Sequence, residues 1–489
     1  MTNSAYEHAH DALLARGPGR MVPDLTRITQ LASLMGDPQL SYPSVHVTGT
    51  NGKGSIVRMV GALCSAAGLS AGTYTSPHLQ SVRERLSLAG RPIGPSRFAA
   101  LYDEISPLAA MVDQTQEHAQ DRVTYFEFLT AMAYGWFADV PVDVGVFEVG
   151  MGGRWDATNL VRGDVAVLAP IDVDHAELGS TAAEVAAEKV GIIKPGATVI
   201  TAEQSPDVMD VIDAAIAQAG ATLIELGEQV DVGDRAVAVG GQLLSLQVGE
   251  RIIDEILLPV FGGHQAENAA LALAAFQALT GDAFAQMEDD VVRHGLGAVE
   301  IPGRLEIVHR EPTVVLDAAH NPHGAAASAS AVDTSFGFAE MVLVVACLDD
   351  KDVEGILAPF APLASHVVVT RAPHQRAASI DRMYQAAMAV WAETGVVVEK
   401  AADLTSALSL AESVAGEGDG IVVGGSLITV GAARDRYLPI DDHADDEIVV
   451  EPDDEPEPVG HEEADEVAAL LDDDDAFQEA LEELLDDED

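Results

Sequence analysis

Along the first 300 residues, short runs of β-branched and apolar residues alternate with alanine-rich stretches whose apolar positions recur at helical spacing. SVHVTG (44–49), DVGVFEVG (143–150), DVAVLAP (164–170) and ATVITA (197–202) have the length and composition of strands. IVRMVGALCSAAG (56–68) and FEFLTAMAYGWFA (126–138) predict helices packed on a sheet. This alternation predicts an α/β fold with a mainly parallel sheet, the helices serving as crossovers. Residues 230–260 depart from it and read as short strands joined at Gly turns, an antiparallel excursion.

At Ile301-Pro302-Gly303-Arg304 the pattern stops. It resumes with TVVLDAAHNP, MVLVVACL, SHVVVTRAP, GVVVEKA and GIVVGGSLITVG, each separated from the next by room for a helix. Pro-Gly punctuation between two βα series marks a domain boundary. The expected organisation is a first domain over 1–301, a smaller Rossmann-like α/β domain over 302–440 and an acidic tail over 441–489. The tail has too few apolar residues to offset its ordering entropy and reads as disordered, although Val467, Leu470, Leu471, Phe477, Leu481, Leu484 and Leu485 leave room for a short amphipathic helix.

Charge narrows the function classes. The chain carries 26 Lys plus Arg against 80 Asp plus Glu, a net of −54, which disfavours a general affinity for nucleic acid or anionic membranes. The tail accounts for 25 acidic residues and no basic ones, leaving 55 acidic against 26 basic residues before it. Any anionic ligand must therefore meet local basic groups. No stretch approaches the roughly 18–20 apolar residues of a spanning helix, and MTNSAYEHAHDALLARG lacks the basic-then-apolar order of a signal peptide. Cys64 and Cys347 lie in apolar runs, as buried reduced thiols do. The expectation is a cytoplasmic, soluble monomer whose partners are small molecules.

SVHVTGTNGKGSIVRMV sets a Gly-rich turn between a strand and a helix, where backbone amides and the helix dipole favour bound phosphate. The strict GxxxxGK[ST] pattern fails twice: Val47 stands at its first Gly, and Gly54 at the Ser or Thr after the lysine. Lys53 still places a cation against phosphate, while the hydroxyl comes one residue late, as Ser55.

This departure is informative, because HVTGTNGKGS resembles the nucleotide loop of the Mur ligase superfamily and, within it, of the bifunctional dihydrofolate synthase/folylpolyglutamate synthase family. The resemblance implies that Gly49, Thr50, Asn51, Gly52, Lys53, Gly54 and Ser55 bind ATP. Further segments continue it in order across roughly residues 20–435. TSPHLQSVRERL (75–86) is similar to the family's loop over the nucleotide and brings Ser76 as a metal ligand. EVGMGGRWDATN (148–159) brings Glu148, a carboxylate at the end of an apolar strand and a suitable magnesium ligand. IDVDHAELG (171–179) brings His175 as a ligand of a second metal. EKVGIIKPG (188–196) maps the family's carbamylated lysine to Lys189. GGHQAENAALALAA (262–275) maps a nucleotide contact to Asn268, PGRLE (302–306) places Arg304 at the hinge as a phosphate clamp, and LDAAHNP (316–322) assigns Asp317 to the nucleotide and His320 to the reaction centre. Thr124, Phe126 and Asp156 lie in segments that meet the pterin substrate.

The resemblance implies a P-loop-containing Mur-ligase-like central domain, followed by a smaller Rossmann-like domain. It implies an ATP-dependent ligase with two magnesium sites and a carbamylated Lys189. Its activity would join L-glutamate to dihydropteroate or a reduced folate through an acyl phosphate. Lys53, Lys189, Arg304 and His320 would carry the catalysis. Two alternatives stand beside this reading. One is another amino-acid ligase of the superfamily, although a peptidoglycan Mur ligase would need a nucleotide-sugar domain where only 48 residues precede Gly49. The other is a catalytically silent nucleotide-binding module, from which the loss of Glu148, His175 or Lys189 would be expected; all three are present.

Overall fold

The computed structural model describes residues 2–19, 23–116, 118, 121–173, 177–392 and 394–440. The acidic tail read as disordered and the expected metal ligand His175 lie outside the described residues. An eight-stranded sheet forms from β1 (Ser44–Thr48), β2 (Ala71–Tyr74), β3 (Leu86–Leu88), β4 (Arg91–Pro92), β5 (Val144–Glu148), β6 (Val165–Leu168), β7 (Thr198–Thr201) and β8 (Thr222–Glu225). Its order is β4-β3-β2-β5-β1-β6-β7-β8, parallel except for the β2–β3–β4 edge.

β1 is flanked on both sides, with Val45 opposite Val146 of β5 and Val165 of β6, and all five of its residues are buried. Central strands covered on both faces need near-continuous apolar sequence, which explains why SVHVT, VGVFE and VAVL show little alternation. Their shared direction brings Thr48, Tyr74, Glu148 and Leu168 to one end of the sheet. That end is where open α/β sheets hold ligands.

The expected antiparallel excursion is a three-stranded sheet of β9 (Val230–Ala238), β10 (Gly241–Val248) and β11 (Arg251–Leu258). It covers the helix Gly263–Thr280, whose residues from Ala269 to Phe276 are all fully buried. A helix apolar all round needs cover on every side. The parallel sheet and the helix Lys53–Ala66 supply one side, and the antiparallel sheet supplies the other. Buried Gln242 of β10 joins the two layers by donating Nε2 to the carbonyls of Val260 and Gly262 at 2.9 and 3.0 Å.

After Pro302 a second sheet is built from β12 (Glu306–Arg310), β13 (Thr313–Leu316), β14 (Met341–Val345), β15 (Ala364–Val369), β16 (Val397–Lys400) and β17 (Gly420–Gly424). The order is β12-β13-β17-β14-β15-β16, with only edge strand β12 antiparallel. Apolar clusters cover both of its faces. The two sheets belong to one compact unit. The loop carrying Ser76 to Ser81 lies against the second sheet's helix Leu427–Tyr437, where Gln80 donates Nε2 to Asp435 at 2.7 Å and also meets Arg434.

Gly431 makes that approach feasible, since a β-carbon there would meet the Leu79 carbonyl. Alanine is the better helix former by about 1 kcal/mol, but this contact is with backbone and has little freedom to yield. Gly431→Ala is therefore expected to destabilise the protein by about 1–3 kcal/mol, as overpacking does. Urea unfolding measures it, and a raised midpoint would mean that helix propensity wins.

Candidate active site

The phosphate loop takes its shape from two glycines. Gly49 has φ +147°, and a β-carbon there would lie 2.6 Å from that of Ala169; Gly52 has φ +87°, and a β-carbon there would lie 2.5 Å from Asn268 Oδ1. Both positions thus exclude side chains on conformation and on space. Thr50 anchors the loop across β6 by donating its N–H to Pro170 O at 2.8 Å and its hydroxyl to Asp172 O at 2.7 Å. Lys53 opens the following helix and folds its ammonium back over the loop, 2.9 Å from Gly49 O and 3.0 Å from Thr50 O.

Gly54, where a conventional loop has Ser or Thr, packs closely on Glu148. A β-carbon on Gly54 would lie 3.3 Å from Glu148 Oε2, so the helix start backs directly onto that carboxylate, and the hydroxyl is carried by buried Ser55 instead. Glu148 ends β5, is 5% exposed, and accepts a hydrogen bond from the Ser76 N–H at 2.9 Å. Burial pushes its carboxyl up, against the pull of Lys53, the Ser76 amide, Arg304 and Arg58. Arg304 from the second part of the chain is thus close enough to act on the same charge. Arg58, one and a half turns after Lys53 on the same helix, was not among the expected site residues. It is half-buried, and burial pulls its guanidinium down while Glu84 and Glu148 act chiefly in the opposite direction.

Glu148 and the Ser76 hydroxyl are hard oxygen donors beside a phosphate loop, the set that magnesium takes together with substrate phosphates. They fit that ion. Among the described residues no group of three or more His, Cys, Asp or Glu is arranged around a metal site.

Lys189 ends the helix Ala182–Lys189 and is 4% exposed, with Nζ 2.7 Å from Gly49 O. The loop Gly150–Asp156 packs on its backbone, since a β-carbon on Gly153 would lie 2.7 Å from Lys189 O. Asn268 sits over Gly52 and donates Nδ2 to Gln265 Oε1 at 3.1 Å. Asp317 is held at the end of β13 by the Leu305 and Ala319 N–H groups, each 3.1 Å from one of its oxygens. Its charge acts on His264, whose imidazole is pushed down by burial, raised by Asp317, and lowered again by Arg304, His323 and Arg235. His320 lies half-buried, with Nδ1 3.0 Å from Ala318 O. Asn321 and His323 close the loop from the second sheet: Asn321 donates to Asn51 Oδ1 at 3.2 Å, and Asn51 Nδ2 lies 3.1 Å from His323 Nδ1. His264 lies in GGHQAENAALALAA and Asn321 in LDAAHNP, with His323 just beyond it, but only Asn268, Asp317 and His320 were singled out in those segments.

Beside the loop opens a cavity of about 1190 Å³, and Thr124, Phe126 and Asp156 all line it. Their roles in the fold differ. Thr124 caps the helix Tyr125–Asp139 in a reciprocal box with Glu127. Asp156 accepts from the N–H groups of Met151 and Thr158 and from the Thr158 hydroxyl at 2.9, 3.0 and 2.6 Å, while burial pushes its carboxyl up. Phe126 presses on Gly150, where a β-carbon would lie 2.6 Å from its ring. Tyr125, Leu25 and Trp155 add further aromatic and apolar groups to the wall, beside the cationic Arg85. Met151 and Gly152 line both this cavity and the small pocket around Gly49, Lys53 and Lys189, so the two are adjacent.

Comparison with known proteins follows this division. Residues 47–276 match the Mur ligase middle domain, and residues 303–427 match the Mur ligase glutamate ligase domain. The Mycobacterium tuberculosis dihydrofolate synthase/folylpolyglutamate synthase is 44% identical over 441 residues, covering 86% of this chain and 91% of that one. The Bacillus subtilis protein of the same name is 32% identical, covering 88% and 99%. Among solved structures, M. tuberculosis folylpolyglutamate synthase complexed with ADP superposes with a TM-score of 0.83 at 43% identity, covering 90% of this chain and 99% of that one. The Escherichia coli protein in complex with DHPP and ADP gives 0.76 at 27% identity, covering 88% and 97%. The chain therefore belongs to the dihydrofolate synthase/folylpolyglutamate synthase family of ATP-dependent ligases.

Proposed function

We propose that this chain joins L-glutamate to the carboxylate of dihydropteroate and of reduced folates, acting as a monomer. The observation that carries the reading is the adjacency of the aromatic-walled cavity to the phosphate loop through Met151 and Gly152, beside Lys53. A flat acceptor seated against Tyr125 and Phe126 would direct its carboxylate toward the terminal phosphate of ATP. A carboxylate oxygen attacks the γ-phosphorus, ADP leaves, and the glutamate amine then attacks the acyl carbon, expelling phosphate and leaving an amide.

Bringing a carboxylate to a triphosphate requires positioning and charge neutralisation. Lys53 and Arg304 meet that demand on the phosphates, while Asn268 and Asp317 are the further nucleotide contacts that the family implies. His320 lies on the segment that approaches the reacting groups from the second sheet. Ser76 and Glu148 would hold magnesium, which when bound would neutralise phosphate charge and orient the phosphate oxygens, with His175 the donor that the family implies for a second ion. Lys189, carbamylated, would become an anionic oxygen donor for a second ion, and its burial 2.7 Å from Gly49 O sets it against the loop.

The direct test is glutamate-dependent ADP release from ATP and magnesium, run with 7,8-dihydropteroate and with tetrahydrofolate; no turnover with either would refute the ligase reading. Lys53→Ala should lower turnover by about 100–1000-fold, the usual cost of one group aimed at developing charge. The fold should be kept, as an unchanged circular-dichroism spectrum would show, and near-normal turnover would remove Lys53 from the mechanism. The cavity residues separate by readout: Thr124→Ala should cost about 1 kcal/mol of stability as a lost cap, whereas Phe126→Ala should raise KM for the acceptor and spare KM for ATP. Equal effects on both substrates would argue against an acceptor site at Phe126. Removing carbon dioxide and bicarbonate should lower activity reversibly and remove a one-carbon-dioxide mass increment from the peptide containing Lys189; full activity without that increment would exclude carbamylation.

A further inference from the structure

Most of the acceptor cavity's wall comes from residues before Pro302, but His374 and Arg376 reach it from the loop after β15. That loop is fixed in place. Asp349 N–H donates to Arg376 O at 2.8 Å, Arg376 N–H donates to His374 Nδ1 at 3.1 Å, and Leu348 bridges to Ala377. The Arg376 guanidinium pairs with Asp350 at 3.0 Å, yet its side chain keeps 66% of its exposure.

The other cations of the cavity are already engaged. Arg27 Nε lies 3.0 and 3.2 Å from the two oxygens of Glu127. Arg85 donates to His78 Nδ1 at 2.9 Å and holds its guanidinium 5.4 Å from the Tyr125 ring centroid. Asp24, Glu177 and Glu188 also line the cavity and repel anions. An anionic extension of the acceptor therefore finds its most accessible positive partner at the Arg376 edge.

The two acceptors differ in just such an extension. Dihydropteroate carries one carboxylate, the one that reacts. A folate that reacts at the γ-carboxylate of its terminal glutamate leaves an α-carboxylate over, and that group must be placed in the cavity or at its mouth. We propose that Arg376, with its backbone set by His374, binds this α-carboxylate and favours folates over dihydropteroate as acceptors; the inference rests on the ligase reading above. A guanidinium fork suits a carboxylate, and the second part of the chain would then sense an acceptor that already bears glutamate.

The test measures kcat and KM of the full-length enzyme for 7,8-dihydropteroate, tetrahydrofolate and its diglutamate, and L-glutamate, in wild type, Arg376→Ala and Arg376→Lys. Arg376→Ala should raise KM for both folates about tenfold or more, the scale of a lost hydrogen bond to a charged group, while KM for dihydropteroate and for L-glutamate changes by less than about twofold. Arg376→Lys should recover part of the loss. Added salt should raise the folate KM of wild type and leave that of Arg376→Ala nearly level. Equal rises for both acceptors, or a rise confined to L-glutamate, would overturn the assignment. Thermal midpoints and ADP affinity of the variants exclude misfolding as the cause. A wild-type enzyme inactive with both acceptors would overturn the ligase reading, and this inference with it.

Discussion

The buried carboxylate of Glu148 constrains much of what surrounds it. An anion at the end of a strand covered on both faces is costly unless cations and amides compensate. The chain supplies Lys53, Arg58 and Arg304 from three positions and the Ser76 N–H from a fourth. Lys53 and Arg304 are also the cations proposed to meet the triphosphate. The irregular phosphate loop lies at the same point, with Gly54 against Glu148 where a conventional loop would place a hydroxyl.

Arg304 and Asn321 bring the second sheet into this arrangement. Without them the phosphate loop would meet solvent on the side that Asn51 now turns to Asn321 and His323. The loop bearing Ser76 is held similarly, with Leu79 against Gly431 and Gln80 against Arg434 and Asp435. The phosphate loop and the loop bearing Ser76, both from the first sheet, are therefore braced by the second. Charge complementarity and close backbone approach both contribute to that bracing.

Strand runs and the two βα series were legible because strands buried on both faces are written as apolar blocks, and β1, β5, β6 and β7 fall within the blocks that predict them. The antiparallel excursion was legible from its Gly turns. Less so were the helices Thr2–Leu14 and Thr26–Leu34, whose apolar positions are few, and the helix Pro95–Gln114, which contains Pro107. Candidate site residues tied to a local motif, such as Lys53, Glu148 and Asp317, could be proposed from sequence. Arg58, His264 and Arg376 could not, because their significance lies in what the fold places beside them. Thr124 illustrates the converse: its segment points to the acceptor, while the structure also gives the residue a helix-capping role.

The helix Gly263–Thr280 lies between two sheets, and Asn268, which closes over Gly52, is mounted on it. The phosphate loop therefore gains its upper contact from a residue some two hundred positions later in the chain, and only after the three-stranded sheet between them has formed a cover for that helix. Pairings so distant in sequence are slow to form. During synthesis that contact cannot form until most of the first domain has emerged, so the loop's finished surroundings belong to the assembled layers rather than to the motif that announces them.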